Sequence, residues 1–220
     1  MEHVDFEARR PAEGLRDSLA FGLVKFMRFF ADLFFRKRYG HRAVVLETVA
    51  AVPGMVGGML QHLRALRQIR DDRGWIKELL DEAENERMHL MTFIQVAKPS
   101  FFERVLILIA QGIVFNAYFF MYLFLPRTAH RFVAYLEEEA VVSYTHYLDE
   151  LDAGRLENGP APQLAIAYWN LPDNATLRDV VEKVREDEAH HRDVNHRFAD
   201  QLAGEGRARK GADRSTVAAE

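Results

Sequence analysis

The sequence predicts an all-α protein, and three observations support that prediction. The seven prolines and thirteen glycines of the 220-residue chain cluster at a few places, so the stretches between them are long. Apolar residues recur at mixed spacings of three and four, as at Val49, Val52, Val56 and Met59, which amphipathic helices require. No stretch alternates apolar and polar residues in the way that a half-buried strand does.

Six helices are predicted, at residues 14–38, 41–70, 73–96, 100–125, 127–152 and 176–202. Local signals separate them. Asp71 and Gly74 interrupt the pattern between the second and third helices, and Ser100 offers an N-cap for the fourth. Pro126 is suited to the first turn of the fifth helix, and the Pro- and Gly-containing residues 158–162 form the one substantial predicted loop.

The length of the chain predicts one domain with tails. Residues 1–13 are expected to form a flexible N-terminal segment, 14–202 a single domain, and 203–220 a disordered C-terminal tail that lacks large apolar residues. The acidic N-terminus resembles neither a secretory signal nor an Arg-rich mitochondrial presequence. The expectation is therefore a mature chain or a bacterial protein on the cytoplasmic side of its membrane.

Composition excludes several classes of site. The chain has no cysteine, which rules out disulfides, zinc–thiolate sites, iron–sulfur clusters and a thiol nucleophile. Metal ligands must therefore be His, Asp or Glu. The net charge of −4 gives no global attraction to nucleic acid, and no nucleic-acid partner is expected.

Two segments have the composition of membrane-contacting helices. Residues 105–125 carry no charge and are long enough to cross a bilayer, which takes about 20 apolar residues. Residues 15–38 mix phenylalanines with Lys and Arg, as in a basic amphipathic helix lying among lipid headgroups. A buried position in a soluble core is the alternative for both segments.

Two Glu-x-x-His pairs, each preceded by a lone Glu on the previous helix, form the clearest chemical pattern. Residues three apart share one helix face, so each pair can present a carboxylate and an imidazole to one metal. The lone glutamates lie in apolar surroundings, where a charged carboxylate needs a partner. In chain order the six residues are Glu47, Glu86, His89, Glu137, Glu188 and His191.

This order of ligands is that of the di-iron and di-manganese carboxylate four-helix bundles. Carboxylates with imidazoles suit non-haem iron. If residues 105–125 crossed a bilayer, Glu86 and Glu137 would lie on opposite sides and could not share a site. The prediction is therefore a ferritin-like di-iron four-helix bundle whose two additional apolar helices form a monotopic membrane-binding surface.

At these motifs the sequence resembles the alternative oxidase family, from about Arg38 to Leu202. The resemblance is carried by Leu-Glu-Thr at 46–48, Asn-Glu-Arg-Met-His-Leu at 85–90, Leu-Glu-Glu-Glu-Ala at 136–140 and the charged run at 185–196. It implies a membrane-bound homodimer with two non-haem iron ions held by the six residues above. It also implies oxidation of ubiquinol and reduction of O2 to water without proton pumping.

The resemblance implies roles for further residues. Asn85 and Asp187 would hydrogen-bond the ligands. Tyr144 would be the redox-active tyrosine and Tyr168 a tyrosine of the surroundings, although a structural hydrogen bond is the alternative for each. The quinol pocket would be lined by Arg42, Leu46, Glu139, Ala140 and Ser143. Glu139 or Arg42 would assist the loss of the quinol hydroxyl protons.

Other polar residues are expected to be structural. His130 would hold its helix end against the crossover helix or a dimer partner. Glu138 would face solvent or an interface, and His190 would make a dimer or surface contact. His62, His146 and His196 would be solvated, and most of the acidic run Glu78, Asp81, Glu82 and Glu84 would form an exposed helix face. Thiol regulation, known from plant members, is not possible without cysteine. The short loop at 152–175 favours ubiquinol over plastoquinol.

Three other functions remain open at this point. A di-iron monooxygenase of quinone biosynthesis would use the same ligands but insert oxygen into a substrate. A ferritin-like iron-binding protein would not need an exposed Phe-rich basic helix. A helical membrane-surface adaptor would leave Glu47 and Glu137 buried without partners. The expected location is the cytoplasmic side of a bacterial inner membrane, or the matrix side of the mitochondrial inner membrane in a eukaryote.

Overall fold

Seven α-helices make up the part of the chain that the computed structural model describes, which is residues 4–35 and 38–217, with side chains as far as residue 204. They are α1 (Gly14–Phe35), α2 (Tyr39–Gln68), α3 (Trp75–Ala97), α4 (Phe101–Phe124), α5 (Pro126–Asp152), α6 (Gln163–Trp169) and α7 (Leu177–Val217). The described residues contain no strand, only an isolated antiparallel bridge between Pro160 and Thr176. The all-α prediction is confirmed.

The helix boundaries follow the local signals in the sequence. Ser100 caps α4 in a capping box, in which its backbone N–H donates to Glu103 Oε2 over 2.7 Å and its hydroxyl accepts from the Glu103 N–H. Pro126 occupies the first turn of α5. The turn from α2 to α3 ends at Gly74, whose φ of +82° suits glycine. The seven-residue helix α6 was not predicted, because so short a segment shows no helical period.

Helices α2, α3, α5 and α7 form a four-helix bundle, in which α2 packs against α3 and α5 against α7. The α2–α3 contact is close at Gly54, where a Cβ atom would lie 2.4 Å from the carbonyl oxygen of Leu79 and 2.9 Å from the N–H of Ala83. Only glycine fits this crossing. The close approach places the middle of α2 directly beside the residues of α3 that precede Glu86.

Helix α4 connects α3 to α5 along the outside of the bundle. Its 24 residues extend about 36 Å at 1.5 Å per residue. Tyr118 and Tyr122 bury one side of α4 against α2 and α5, and Ala20 and Val24 bury one side of α1 in the same cluster. The opposite sides leave the following large apolar residues exposed: Leu15, Leu19, Leu23, Phe26, Phe29, Phe30, Leu33, Phe34, Phe101, Phe102, Leu108, Ile109, Ile113, Phe120, Leu123 and Phe124.

Among the described residues, two helices are long and apolar enough to cross a membrane when judged by length and composition alone. They are α2 and α4. In α2, 61% of the 18-residue apolar stretch is buried, whereas in α4 only 11% of the corresponding stretch is buried. Burial identifies α2 as a core helix of the bundle. Because α4 packs lengthwise on the bundle through its tyrosines, its exposed face is the side that needs another apolar environment.

The chain ends differ from the sequence expectation in their contacts. The segment from Val4 to Glu13 lies against α5 and α7, where the Arg9 guanidinium donates to the Glu138 carbonyl over 2.6 Å. Residues 203–217 have helical backbone, although a disordered tail is expected there. The helical backbone agrees with the composition of this segment, since Ala, Glu, Lys and Arg favour helices. The division into a domain and tails stays a prediction. Residues 1–3, 36–37 and 218–220 lie outside the described residues.

Candidate metal centre

A cluster of carboxylates and imidazoles lies in the centre of the bundle. One ligand atom from each of Glu47, Glu86, His89 and Glu188 lies within 4.8 Å of the others, and all four side chains are buried. Helix α2 contributes the first, α3 the next two and α7 the last. Each residue projects from the middle of a long helix, so the bundle itself fixes the geometry of the cluster.

The other two predicted ligands adjoin this cluster. His191 Nδ1 lies 2.8 Å from Glu86 Oε1 and 4.0 Å from Glu188 Oε2. Glu137, on α5, is 3% exposed and lines the same cavity as Glu47 and Glu188. The structure therefore brings together all six residues, which come from the four helices of the bundle.

Burial and mutual repulsion shift the acidity of these carboxyl groups. Burial, reinforced by the neighbouring glutamates, raises the pKa of Glu86 and of Glu137 well above the ordinary range and that of Glu188 to about 8. Burial also acts to raise the pKa of Glu47, but hydrogen bonding to His89 and the charge of that imidazole outweigh it and lower the pKa. The protein groups alone therefore supply too little positive charge to stabilise four buried carboxylates as anions.

The donor atoms fit a metal site. Both carboxylate oxygens of Glu86, Oε2 of Glu188 and Nδ1 of His191 are buried and make no hydrogen bond to the described part of the chain, since the 2.8 Å contact between His191 Nδ1 and Glu86 Oε1 lacks hydrogen-bond geometry. Buried polar atoms without partners cost about 1–3 kcal/mol each, so such a group of them indicates a missing partner. Four carboxylates and two imidazoles are hard donors of the kind that non-haem iron and manganese prefer.

A second set of side chains orients His89. Its Nδ1 faces the cluster, 3.2 Å from Glu47 Oε2, while Nε2 lies 3.2 Å from Asp187 Oδ2. The same Asp187 oxygen accepts hydrogen bonds from Asn85 Nδ2 over 3.0 Å and from Trp169 Nε1 over 2.9 Å. A carboxylate that holds the outer nitrogen of a histidine leaves the inner nitrogen free for a metal. Asn85 also donates to the hydroxyl of Tyr168 over 3.0 Å.

Tyr144 joins the cluster from α5. Its hydroxyl donates a hydrogen bond to Glu47 Oε1, and its ring stacks on Phe93 with 5.7 Å between the ring centroids. Burial and the neighbouring carboxylates raise the pKa of Tyr144 well above 10, so the phenol is protonated. The side chain is 4% exposed, and it also lines the cavity described next.

An apolar cavity of about 120 Å³ adjoins the cluster. At its inner end are Glu47, Glu137 and Glu188. Its wall contains all five residues that the sequence predicts for a quinol pocket: Arg42, Leu46, Glu139, Ala140 and Ser143. Helix α1 forms the outer side with Val24, Met27, Arg28 and Ala31, none of which the sequence singles out.

A set of ion pairs crosses the cavity between α1 and the bundle. Arg28 Nη1 donates to the carbonyl and to Oε2 of Glu139, both over 3.0 Å, and Lys25 also pairs with Glu139. Asp32 pairs with Arg42, which is 4% exposed. Burial and the nearby Arg28 lower the pKa of Arg42, although Asp32 acts in the opposite direction. These pairs fasten α1 over the cavity.

Comparison with known proteins identifies the family. The alternative oxidase family model matches residues 1–200. The chain belongs to the alternative oxidase family. It is 64% identical over 188 residues to a mitochondrial ubiquinol oxidase of Batrachochytrium dendrobatidis, an alignment that covers 86% of this chain and 60% of the relative. It is 58% identical over 209 residues to the mitochondrial ubiquinol oxidase 1a of Arabidopsis thaliana, which covers 95% of this chain and 59% of that protein. The chain thus spans about three-fifths of the relatives it matches.

Three predictions about polar residues in this alternative oxidase chain are wrong. Glu138 is 2% exposed and His196 is 9% exposed, and His196 Nε2 lies 3.0 Å from Glu138 Oε1. His196 Nδ1 in turn accepts from the buried Arg131 guanidinium over 2.6 Å. Glu82 is 4% exposed and accepts from Asn195. In each case a partner on another helix compensates the burial, and sequence spacing does not reveal such partners.

The remaining polar predictions agree with the structure except at Glu78, which is half-buried and pairs with Arg197. His62, His146 and His190 are exposed, and so are Asp81 and Glu84. His130 contacts the crossover helix, because its Nε2 lies 3.0 Å from the hydroxyl of Tyr122. Trp169 and Asn195 also contribute to the site but are not among the predicted residues. Trp169 follows Tyr168 directly, and Asn195 lies four residues after His191 on the same helix face.

Proposed function

We propose that this chain is a ubiquinol oxidase that couples oxidation of two ubiquinols to reduction of one O2 to two molecules of water, without pumping protons. The two quinols supply the four electrons and four protons that the reaction consumes. The observation that carries the proposal is the apolar cavity, which joins a buried Glu/His cluster to the amphipathic helix α1. The similarity to relatives named ubiquinol oxidase and alternative oxidase supports it.

Two non-haem iron ions are the proposed cofactor. The ligands would be Glu47, Glu86, His89, Glu137, Glu188 and His191. When bound, the iron pair supplies the electron storage and O2 chemistry that protein side chains lack. Asp187 holds a proton on His89 Nε2, so that Nδ1 keeps its lone pair for the site. Asn85 and Trp169 fix the orientation of Asp187, and Tyr168 extends this set to the edge of the bundle.

The proposed quinol site is the cavity. Leu46 and Ala140 provide apolar walls for the quinone ring, and Ser143 and Arg42 offer hydrogen bonds to its oxygens. We propose that Glu139 or Arg42 assists the loss of the hydroxyl protons. Tyr144 lies between the cavity and Glu47, in a position from which its phenol can pass one electron and one proton to the site.

We propose that α1 and α4 lie in one leaflet of a membrane and that the protein is a homodimer. The exposed apolar faces of both helices support the membrane contact, and the packing of α4 along the bundle favours a flat orientation over a crossing one. Such a surface admits a lipid-soluble quinol directly to the cavity beneath α1. The relatives are named mitochondrial, which favours the matrix side of the mitochondrial inner membrane over the bacterial location.

The test is oxygen uptake by the purified protein in detergent with ubiquinol and cyanide present. We expect sustained uptake that forms water, with ubiquinone as the only organic product. Glu137→Ala should abolish iron loading or turnover, because it removes a buried carboxylate of the cluster. Glu84→Ala is the matched control, since Glu84 lies on α3 but is exposed and pairs only with Arg87 in the described structure.

Normal turnover of Glu137→Ala would refute the ligand assignment. A hydroxylated organic product would instead identify a di-iron monooxygenase, and iron uptake without quinol oxidation would identify an iron-binding protein. A wild-type protein that holds two irons per chain but consumes no oxygen would refute the oxidase.

A further inference from the structure

Five polar side chains, four of them buried and Gln61 half-buried, form a continuous hydrogen-bonded chain beside the metal centre, each from a different helix. Gln61 Nε2 donates to the hydroxyl of Tyr122 over 3.0 Å, and that hydroxyl lies 3.0 Å from His130 Nε2. His130 Nδ1 lies 2.8 Å from Asn195 Oδ1, and Asn195 Nδ2 donates to Glu82 Oε2 over 2.8 Å. The chain links α2, α4, α5, α7 and α3 in that order.

The direction of every bond in this chain is fixed by chemistry. The amide oxygen of Asn195 only accepts, so His130 Nδ1 carries the hydrogen. Burial lowers the pKa of His130 to about 4, so the imidazole is neutral at pH 7 and its Nε2 accepts from the hydroxyl of Tyr122. That hydroxyl in turn accepts from Gln61. No alternative orientation satisfies all the groups.

Asn195 is the junction of the chain. The second hydrogen on its Nδ2 is donated to the backbone carbonyl of His191 over 3.0 Å. Both amide hydrogens and the amide oxygen of Asn195 therefore take part in hydrogen bonds. The side chain is 1% exposed. Asn195 lies one turn after the proposed ligand His191 on α7, and Glu82 lies one turn before the proposed ligand Glu86 on α3. The Asn195–Glu82 bond therefore ties the two ligand helices together one turn away from the 2.8 Å contact between His191 and Glu86.

We propose that Asn195 is a positioning residue that sets the axial register of α7 against α3, and thereby the spacing of His191 and Glu86 for metal binding. It reaches no metal or substrate itself. It acts through the amide bonds to Glu82 and to the His191 carbonyl, and His130 holds the amide in place. This inference rests on the proposed metal centre.

The experiment uses Asn195→Asp, a substitution of nearly equal shape. The aspartate still accepts from His130 Nδ1 but has no hydrogen to donate to Glu82 or to the His191 carbonyl. The titration is done at pH 8, above the pKa of about 7 to which burial raises Glu82, so that the aspartate opposes a second carboxylate. The metal-free protein is titrated with Co²⁺, and its visible absorption and metal stoichiometry are recorded. We expect about tenfold weaker binding of at least one Co²⁺ and a changed spectrum, the size of loss seen when groups that orient ligands are removed.

Exchange of the two groups gives the decisive comparison. In the double variant with Asn195→Asp and Glu82→Gln, the new amide donates to the new carboxylate, which restores the bond between α3 and α7 in reverse but not the bond to the His191 carbonyl. We expect the double variant to bind Co²⁺ at least threefold more tightly than Asn195→Asp alone. A role in general stability alone predicts instead that Asn195→Asp lowers the melting temperature of the metal-free protein but leaves Co²⁺ affinity and spectrum unchanged, and that result would overturn the proposal.

Controls separate this inference from the proposed function. His190→Gln, next to a ligand but exposed, should bind Co²⁺ as the wild type does. If wild-type protein binds no pair of Co²⁺ ions, the metal centre itself is wrong. If Asn195→Asp does not fold, His130→Gln decides, because it cuts the chain one step further from the ligands. A threefold or greater loss of Co²⁺ affinity there supports the positioning role, and wild-type affinity overturns it.

Discussion

The buried neutral His130 should make the stability of the metal-free protein depend on pH. Its imidazole faces the hydroxyl of Tyr122 and the amide of Asn195, and the rings of Trp75 and Phe198 lie edge-on, 5.6 and 5.2 Å away between centroids. Burial lowers the pKa of His130 to about 4, against about 6.5 for a histidine in an unfolded chain. At 1.36 kcal/mol per pKa unit, this difference corresponds to about 3 kcal/mol.

The direction of the pH dependence follows from which state, folded or unfolded, binds the proton more readily. Above about pH 6.5 the imidazole is neutral in both the folded and the unfolded state, so the free energy of unfolding has its full value with respect to His130. As the pH falls from about 6.5 to about 4, the unfolded chain takes up a proton that the folded chain excludes, so the free energy of unfolding decreases. Below about pH 4 both states are protonated and this contribution to the pH dependence ends.

The assay is urea unfolding of the metal-free protein, followed by circular dichroism in mild detergent between pH 7.5 and 4. His130→Gln lacks the titrating group, and all other acidic and basic groups are common to both proteins. We expect the wild type to lose about 3 kcal/mol more than His130→Gln over this range. Parallel curves for the two proteins would refute the reasoning, because His130 would then titrate alike in folded and unfolded chains.

Two further predictions concern packing and catalysis. Gly54→Ala should destabilise the protein by about 1–3 kcal/mol or more in urea unfolding, since its Cβ would lie 2.4 Å from a backbone oxygen. Gly112→Ala, where no atom lies within 4 Å of the new Cβ, should be neutral or stabilising by up to about 1 kcal/mol, and an equal loss in both variants would contradict the close crossing. Tyr144→Phe should keep two metals per chain but reduce quinol oxidation on the order of a hundredfold. Unchanged turnover in that variant would make the tyrosine structural.

The helices and the metal cluster were predictable because both depend on short-range regularities. A 3.6-residue period places apolar side chains on one face, and a Glu-x-x-His spacing places two donors on the same face, so sequence distance alone carries the information. The lone Glu47 and Glu137 could be found because their apolar neighbours require a partner for the charge. The N-cap at Ser100 and the proline at the start of α5 were also predictable, because each depends only on neighbouring residues in the sequence.

The features that sequence could not provide depend on which helices meet. Arg28 reaches the cavity only because α1 packs across α5, and its own neighbours look like those of any basic amphipathic helix. Glu138 and His196 are buried because each compensates the other across two helices. The chain through Asn195 requires five helices at once, and no pairwise spacing encodes it.

The cluster joins residues from nearly the full length of the folded chain, and this has a consequence for biosynthesis. Glu47 emerges from a ribosome early, while Glu188 and His191 lie on the last helix, α7. A nascent chain that ends before α7 offers at most the donors of three helices. The proposed six-ligand centre would therefore be complete only after α7 has been synthesised and has docked against the other three helices.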